Sequence, residues 1–375
     1  MLIGVPKEIK SDEYRIGLTP ESVESLTQSG HQVMIENNAG LGIGKDNDAY
    51  EESGAEIVQT REEIFQRAEM IVKVKEPQLE ECALLKSDQI LFTYLHLAPD
   101  PDQVKALIES GCRAIAYESV RADDGTYPLL TPMSEVAGRM AVQAGATCLE
   151  KVKGGLGRLI GGVTDVDPAD VVVIGGGVVG YNSIEIAIGM QANVTVLDKS
   201  PERLDQLESI FGEKLNAVLA TEENNQACIK EADIVIGAVL IPGASAPKLI
   251  SRELVQSMRK GSVLVDVAID QGGCSETSKP TTHSDPTYVE EGVLHYCVAN
   301  MPGAVPMTST YALNNATLPY VLSLANEGFN KALSLDKGFC DGLNIHNGKV
   351  TITAVAEEQG YDYHDPIELI RGLDQ

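Results

Sequence analysis

Residues 171–198 contain the arrangement that most narrowly limits the fold of this chain. An apolar, β-branched run is followed by Gly175, Gly177 and Gly180, which occupy the three glycine positions of a G-x-G-x-x-G turn. A helical stretch comes next, and a second apolar run ends at Asp198. This order predicts a strand, a glycine turn, a helix and a second strand, the unit that opens a dinucleotide-binding Rossmann domain.

The glycines of such a unit have separate roles. The first permits the tight turn, the second lets backbone N–H groups approach a pyrophosphate, and the third lets the helix pack closely on the strand. Asp198 follows Gly175 by roughly 20 residues, the spacing of the acid that accepts hydrogen bonds from the adenosine ribose hydroxyls. Because its carboxylate would repel a 2′-phosphate, the predicted cofactor is NAD rather than NADP. The alternative is that Asp198 is an ordinary turn residue at a strand end.

The formal net charge of −26 argues against several classes of partner. The acids are spread along the chain in pairs, such as Glu51 with Glu52 and Glu290 with Glu291, rather than gathered into a tail. A surface this negative disfavours nucleic acid and anionic membranes, so a small molecule is the expected partner. A merely soluble acidic protein and an adaptation to salt explain the charge equally well.

The 375 residues suffice for two domains of ordinary size. Hydrophobic residues make up 43% of the chain, yet no apolar run reaches the ~18 residues of a membrane span. The first residues lack the basic region and cleavage site of a signal peptide, so a cytoplasmic protein is expected. Seven scattered cysteines without a C-x-x-C pair predict neither a disulfide framework nor a metal site.

Short apolar runs alternate with helical patterns along most of the chain. In the first part the predicted strands are 2–5, 32–36, 70–75, 89–95 and 113–118, with helices at 20–29 and 101–110. After a helix predicted to begin with Thr131 as N-cap, the glycine-turn unit starts a second series, with further strands at 194–197, 234–238, 262–268 and 294–298. The predicted fold is α/β, with two doubly wound parallel-sheet domains, the second a Rossmann dinucleotide-binding domain.

The last 70 or so residues hold too few elements for a core of their own. They contain one long predicted helix, 309–332, and a hairpin-like tail at 348–353. We therefore expect them to complete the first domain. The predicted domains are residues 1–128 plus 306–375, which bind substrate, and residues 129–305, which bind NAD.

Four polar side chains follow apolar runs, where ligands of open α/β sheets bind. Arg15 offers a planar fork for a small carboxylate, Lys75 an ammonium, His96 a titratable imidazole and Asp270 an acid. Each has a plain alternative, since strand-end cations are mostly solvated, a lone histidine is often structural, and an aspartate can simply shape its turn. Together they are the set that a hydride-transferring enzyme acting on an amino or oxo acid requires.

At these residues the chain resembles the family of alanine dehydrogenase and the NAD-binding subunit of proton-translocating transhydrogenase. The resemblance runs nearly end to end. It is carried by Gly4-Val-Pro-Lys-Glu with Arg15 and Leu18-Thr-Pro, Val72-Lys-Val-Lys-Glu-Pro, Tyr94-Leu-His-Leu-Ala, Thr131-Pro-Met-Ser-Glu-Val-Ala-Gly-Arg-Met-Ala, the glycine turn, Val265-Asp-Val-Ala-Ile-Asp-Gln-Gly-Gly-Cys and His295-Tyr-Cys-Val-Ala-Asn-Met-Pro-Gly-Ala-Val-Pro.

The resemblance implies roles for individual residues and a homohexamer. Arg15 and Lys75 would bind the substrate carboxylate and carbonyl, and His96 and Asp270 would serve as acid and base. The predicted cofactor-binding residues are Ser134, Gly175, Gly177, Val178, Val179, Gly180, Asp198, Arg203, Val239, Leu240, Ile269, Asp270, Asn300 and Met301. Two positions depart from the family pattern: Met307 stands where relatives usually carry arginine, and Glu185 where they often carry lysine.

The predicted activity is the reversible, NAD-dependent oxidative deamination of L-alanine to pyruvate and ammonium. Which of His96 and Asp270 is the principal base stays open. Two other functions remain as alternatives. One is an NAD-binding transhydrogenase-type subunit, which exchanges hydride with a partner protein. The other is a related NAD-dependent dehydrogenase acting on a different amino or hydroxy acid.

Overall fold

The structure is a computed structural model that describes residues 1–239 and 246–371. The chain forms two compact units, one comprising Met1–Met133 with Val305–Gln375 and the other comprising Ser134–Ala304. The functional assignment of the two predicted domains stays a prediction.

The strands of the described residues are β1 Leu2–Val5, β2 Gln32–Glu36, β3 Glu56–Val58, β4 Met70–Val72, β5 Ile90–Thr93, β6 Arg113–Ala116, β7 Asp170–Ile174, β8 Asn193–Asp198, β9 Leu215–Leu219, β10 Ile234–Gly237, β11 Val263–Asp266, β12 Thr287–Glu290, β13 Val293–Tyr296, β14 Leu343–His346 and β15 Lys349–Val350.

The α-helices in the same residues are α1 Pro20–Gln28, α2 Asn47–Glu52, α3 Arg61–Arg67, α4 Leu79–Cys82, α5 Pro101–Ser110, α6 Thr131–Cys148, α7 Val178–Gly189, α8 Pro201–Phe211, α9 Glu222–Glu231, α10 Arg252–Ser257, α11 Pro306–Glu327, α12 Phe329–Leu335, α13 Lys337–Cys340, α14 Thr353–Gln359 and α15 Pro366–Arg371.

The first unit is built on an eight-stranded sheet in the order β15-β14-β6-β5-β4-β1-β2-β3. Strands β1 to β6 are parallel, whereas β14 and β15 add an antiparallel edge. Strands β2 and β3 follow β1 on one side of it, whereas β4 lies on the other side of β1 and is followed by β5 and β6 in the opposite direction. The topological switch point therefore lies between β1 and β4, where open α/β sheets bind ligands.

The second unit has the strand order β12-β13-β11-β10-β7-β8-β9. Apart from the antiparallel edge strand β12, this is the classic 3-2-1-4-5-6 order of a dinucleotide-binding domain. Alternate residues of β7 enter different apolar clusters, Val171 and Val173 on one face and Val172 and Ile174 on the other. Both faces of the sheet are thus covered, as a parallel sheet requires.

The predicted fold class of two mostly parallel α/β domains is confirmed. Within the described residues no helix is both long and apolar enough to cross a lipid bilayer.

Several predicted elements differ in detail. The predicted single helix 309–332 is two helices, α11 and α12, because Gly328 has φ 78° and ψ 162°, which are far from helical values. The hairpin lies earlier than predicted, with Asn347 and Gly348, both at positive φ, forming its turn between β14 and β15. Thr131 is not an N-cap: α6 begins at this residue, and its hydroxyl donates to the carbonyl of Tyr127.

Candidate active site

In the first unit, Arg15, Lys75 and His96 follow strands β1, β4 and β5, which are neighbours in the sheet. Because these strands are parallel, their carboxyl ends lie at one edge. The fold therefore brings the three predicted residues to the same edge, with Arg15 and Lys75 in the loops that flank the switch point.

Arg15 is buried, and one edge of its guanidinium is held by Glu13. The Nε and Nη2 atoms donate to the two carboxylate oxygens of Glu13 at 2.7 and 2.5 Å, and Nη1 donates to the sulfur of Met133 at 3.1 Å. Burial lowers the pKa of Arg15, but hydrogen bonding and charge attraction to Glu13, helped by Tyr94 and Glu8, together outweigh burial, so the net pKa is raised. Arg15 is therefore a buried, permanently charged group with a guanidinium plane fixed by Glu13.

Lys75 is also buried, and its backbone is fixed on both sides. Its N–H donates to Glu8 at 3.3 Å, and its carbonyl accepts from the Thr93 hydroxyl at 2.9 Å. Its ammonium lies 3.6 Å from Glu76, which also pairs with Lys10. Burial raises the pKa of the Glu76 carboxyl, but the two lysines lower it by more than burial raises it. The net pKa is below the usual value, so Glu76 is ionised at neutral pH.

A buried network lies behind this loop and was not predicted. Lys73 is fully buried and donates to Glu8 and Glu81, each at 2.9 Å. Glu8 also accepts the N–H of Val74 at 2.7 Å. The network thus fixes the backbone that leads into Lys75. The available signal was a lysine directly after β4, inside the apolar run predicted as the strand 70–75, because a buried ammonium needs acidic partners.

His96 has an unusual backbone conformation, with φ 48°. Such left-handed values are uncommon for residues other than glycine and cost free energy, so the surrounding structure must hold them. Glu118, just beyond the neighbouring strand β6, accepts the N–H groups of His96 at 2.6 Å and of Leu95 at 3.1 Å. It also lies 3.9 Å from the imidazole Nδ1. Sequence reasoning missed Glu118, although an acid after an adjacent parallel strand was a usable signal.

The His96 imidazole is accessible. Its side chain is 42% exposed, and its ring stacks parallel to that of Tyr94, with centroids 5.8 Å apart. Tyr94 is in turn fixed by donating its hydroxyl to the carbonyl of Leu129. His96 therefore combines a fixed backbone and ring plane with a surface that a ligand can reach.

In the second unit, the glycine turn has the geometry that each predicted role requires. Gly175 has φ 98°, and Gly177 precedes α7 with open space where a Cβ would be. A Cβ on Gly180 would lie 1.8 Å from the carbonyl oxygen of Gly175, so only glycine allows this approach of helix to strand. Val178 is exposed at the first turn of α7, and Val179 is buried. These residues fit the pyrophosphate of NAD, for which a helix N-terminus supplies backbone N–H donors.

Asp198 ends β8 beside this turn. Its two carboxylate oxygens accept the N–H groups of Gly176 at 2.6 Å and of Ser200 at 2.9 Å. Arg203 donates to the carbonyl of Gly176, also at 2.6 Å. Each carboxylate oxygen has a second lone pair with which to accept a ribose hydroxyl.

Replacing Asp198 with alanine is expected to reduce the preference for NAD over NADP by about tenfold or more, because it removes the charge that repels a 2′-phosphate. The measurement is the ratio of kcat/KM for the two cofactors. Asp205→Ala, an exposed acid on α8, is the matched control and should leave the ratio unchanged. An unaltered ratio in Asp198→Ala would remove this residue from the cofactor site.

The other predicted residues of this unit follow its strands or begin its first helix. Asp270 lies on a short 3-10 turn, Val267–Gln271, directly after β11. Its exposed carboxylate accepts the N–H of Asn300 at 3.2 Å. The remaining positions are Val239 after β10, the buried Ile269 and Met301, and Ser134 near the start of α6. Leu240 lies outside the described residues.

The two departures from the family pattern have different surroundings. The carboxylate of Glu185 on α7 pairs with the guanidinium of Arg139 on α6 at 2.5 Å. A lysine at position 185 would instead place a second positive charge next to Arg139. The acidic residue is thus accommodated by a neighbouring arginine. Met307 lies in the first turn of α11 with 57% of its surface exposed.

The chain is similar to known proteins over nearly its whole length. The alanine dehydrogenase of Halomonas elongata is 54% identical over 370 residues, covering 99% of this chain and 100% of its own length. That of Bacillus subtilis is 53% identical over 364 residues, covering 97% and 96% of the two chains. A solved L-alanine dehydrogenase is 49% identical and superposes with a TM-score of 0.93, covering 96% of this chain and 99% of the other.

Two family models also match the chain. The alanine dehydrogenase/PNT N-terminal domain matches residues 4–137, and the alanine dehydrogenase/PNT C-terminal domain matches residues 141–353. The two matches together span most of the sequence, and the relatives are similar over their full lengths. The chain therefore belongs to the alanine dehydrogenase/PNT family.

Proposed function

We propose that the protein catalyses the reversible conversion of L-alanine, NAD and water into pyruvate, ammonium, NADH and a proton. The strongest support is the pair of buried cations, Arg15 and Lys75, in the loops after β1 and β4 at the switch point of the first sheet. Two buried positive groups at the same edge of the sheet as an accessible imidazole suit a small carboxylate that bears a reacting nitrogen.

Arg15 and Lys75 are proposed to fix the substrate. The guanidinium would bind the carboxylate through Nη1 and Nη2, with a carboxylate oxygen replacing the Met133 sulfur at Nη1, while Glu13 keeps the edge formed by Nε and Nη2. The Lys75 ammonium would bind the carboxylate or, in the reverse direction, the carbonyl oxygen of pyruvate. Holding alanine at these contacts orients its Cα–H bond, an effect that can supply several kcal/mol of the barrier.

Alanine reacts after its ammonium group has lost one proton to solvent, and NAD, when bound, accepts the hydride from Cα, which leaves a protonated imine. His96 and Asp270 are proposed to handle the protons that follow. A base removes a proton from water as the water oxygen adds to the imine carbon. The resulting carbinolamine loses its hydroxyl proton while its nitrogen is protonated, and the carbon–nitrogen bond breaks to release ammonia, which is protonated in solution.

Substrate specificity tests this proposal. The purified protein is given NAD with L-alanine, D-alanine, L-lactate or L-lysine in turn, and NADH formation is followed. L-Alanine should give the highest kcat/KM, with pyruvate and ammonium formed in amounts equal to NADH. A higher kcat/KM for L-lactate or L-lysine, or no reduction of NAD by any of the four, would contradict the proposal.

Replacing Arg15 with lysine is expected to raise the KM for pyruvate by about tenfold or more, because an ammonium cannot hold Glu13 and a substrate carboxylate in two parallel pairs. Steady-state kinetics in the direction of pyruvate reduction measures this. Arg67→Lys is a matched control. Arg67 also donates two parallel hydrogen bonds to a carboxylate, that of Glu56, both at 2.7 Å, but this pair lies on the surface. An unchanged KM in Arg15→Lys would refute the carboxylate contact.

We also propose that the protein acts in the cytoplasm as a homohexamer. All seven cysteines are free thiols, six of them buried, which suits a reducing compartment. The hexamer is what the family resemblance implies. Light scattering on the purified protein should give the mass of six chains, and the mass of a monomer or dimer would contradict this assembly.

A further inference from the structure

The loop that carries Asp270 is held by a buried carboxylate. Asp266, fully buried at the end of β11, accepts the N–H of Ala268 at 3.0 Å through Oδ1. Through Oδ2 it accepts the N–H of Cys274 at 2.8 Å and the hydroxyl of Ser278 at 2.5 Å. One carboxylate therefore binds the loop both before and after Asp270.

A lysine from another segment binds the same loop through its carbonyl groups. The Nζ of Lys248 donates to the carbonyl oxygens of Gly272 at 2.6 Å, Gly273 at 2.9 Å and Ser275 at 3.0 Å. These three bonds use every proton of the ammonium. An exposed lysine side chain normally remains mobile, so three simultaneous backbone contacts mark a specific interaction.

The two glycines between these contacts give the loop its shape. Gly272 and Gly273 have φ values of 88° and 77°, which other residues rarely adopt. A Cβ on Gly273 would lie 2.8 Å from the Oδ2 atom of Asp266. Two consecutive left-handed residues reverse the chain tightly, and the turn leaves carbonyl groups that Lys248 binds.

We propose that Lys248 is a positioning residue for Asp270, acting together with Asp266. The two residues, here called the loop clamp, bind the N–H groups and the carbonyl groups of one loop with opposite charges. Asp270 is exposed, and its carboxylate accepts a long hydrogen bond from Asn300, so the clamped backbone sets where that carboxylate lies. The proposal rests on the proposed acid–base role of Asp270.

Three variants test Lys248. Lys248→Met should lower kcat by roughly 10- to 100-fold, the effect of misplacing a reacting group by about 1 Å. The affinity for NADH, measured by fluorescence titration, should change far less. Lys248→Arg should recover part of the loss because a guanidinium also donates to carbonyl groups. Lys230→Met, an exposed lysine on α9, is the matched control.

A double-mutant cycle tests whether Lys248 acts through Asp270. In an Asp270→Asn background, Lys248→Met should cause little further loss of kcat, because the group that it positions is already disabled. A merely structural role would instead give losses that multiply. Multiplying losses, or a Lys248→Met protein with the parent kcat, would overturn the proposal.

Hydrogen exchange provides a readout that does not depend on activity. The amides of Ala268, Cys274 and Ser275 should exchange faster in Lys248→Met than in the parent, while those of β8 should not change. If the parent failed to oxidise L-alanine but these amides still exchanged faster, the proposed function would fail and the clamp would stand. Unchanged exchange in the loop would refute the clamp whatever the substrate.

Discussion

Replacing His96 with alanine is expected to lower kcat by roughly 10²- to 10⁴-fold, the usual loss on removing a general acid–base group. The affinity for NADH should stay near that of the parent, since the glycine turn and Asp198 belong to the other unit of the chain. The measurements are steady-state kinetics in both directions and titration with NADH. A loss of chemistry without a loss of cofactor binding is the result that identifies His96 as catalytic.

The left-handed backbone of His96 calls for a second variant. Alanine tolerates φ 48° less readily than asparagine, which is enriched in that region. His96→Asn should therefore fold at least as well as His96→Ala and show a similar loss of kcat. His31→Ala, at a histidine directly before β2, is the control. If His96→Asn retained the parent kcat, or if both His96 variants lost NADH affinity and activity together, His96 would be structural.

The largest effect on stability is expected from Lys73→Met. Removing the ammonium leaves Glu8 and Glu81 buried without their shared partner, and breaking a buried ion network in this way costs roughly 3–5 kcal/mol of unfolding free energy. Urea denaturation measures the loss. Lys105→Met is the matched control, because Lys105 is 69% exposed and pairs with Glu109 on the surface of α5. The loss of unfolding free energy in Lys105→Met should be negligible.

The destabilisation by Lys73→Met should depend on pH. Burial already raises the pKa of Glu8 in the parent, despite the opposing effect of Lys73. A carboxyl group whose pKa is raised on folding contributes stability that is present in full below its unfolded pKa and is lost as the pH rises through its folded pKa. Without Lys73 the pKa of Glu8 rises further, so the deficit should shrink on going from pH 7.5 towards about pH 5. A deficit equal to that of Lys105→Met, or one that grows towards acid pH, would contradict this account.

The regular parallel strands were predictable because each is a short apolar run between turn signals. Strands β1 and β2 have the predicted bounds, and β4, β5 and β6 begin within one residue of them. The glycine turn was predictable because the backbone conformation and close packing required at its three glycine positions exclude most residues with a side chain. Strands β3, β9 and β12 were missed, since each is a short strand with polar or half-exposed positions.

The residues that support the candidate site could not be predicted in the same way. Glu13, Glu118 and Asp266 are ordinary acids in the sequence, and their importance comes from the donors that loop geometry and folding bring within hydrogen-bonding distance of them. A fork between Arg15 and a substrate carboxylate was predicted, but Glu13 already takes one edge of the guanidinium. Strand ends indicate which side chains reach a ligand, whereas tertiary contacts determine what holds them.

Transfer of deuterium from L-[2-²H]alanine tests the central claim most directly. The purified protein alone is incubated with this substrate and NAD, and the reduced cofactor is analysed by mass spectrometry and NMR. The account predicts that the deuterium appears at the nicotinamide C4 of NADH, with one pyruvate and one ammonium formed for each transfer. Reduced cofactor that carries no deuterium, or reduction that occurs only when a second nucleotide-binding protein is added, would contradict it.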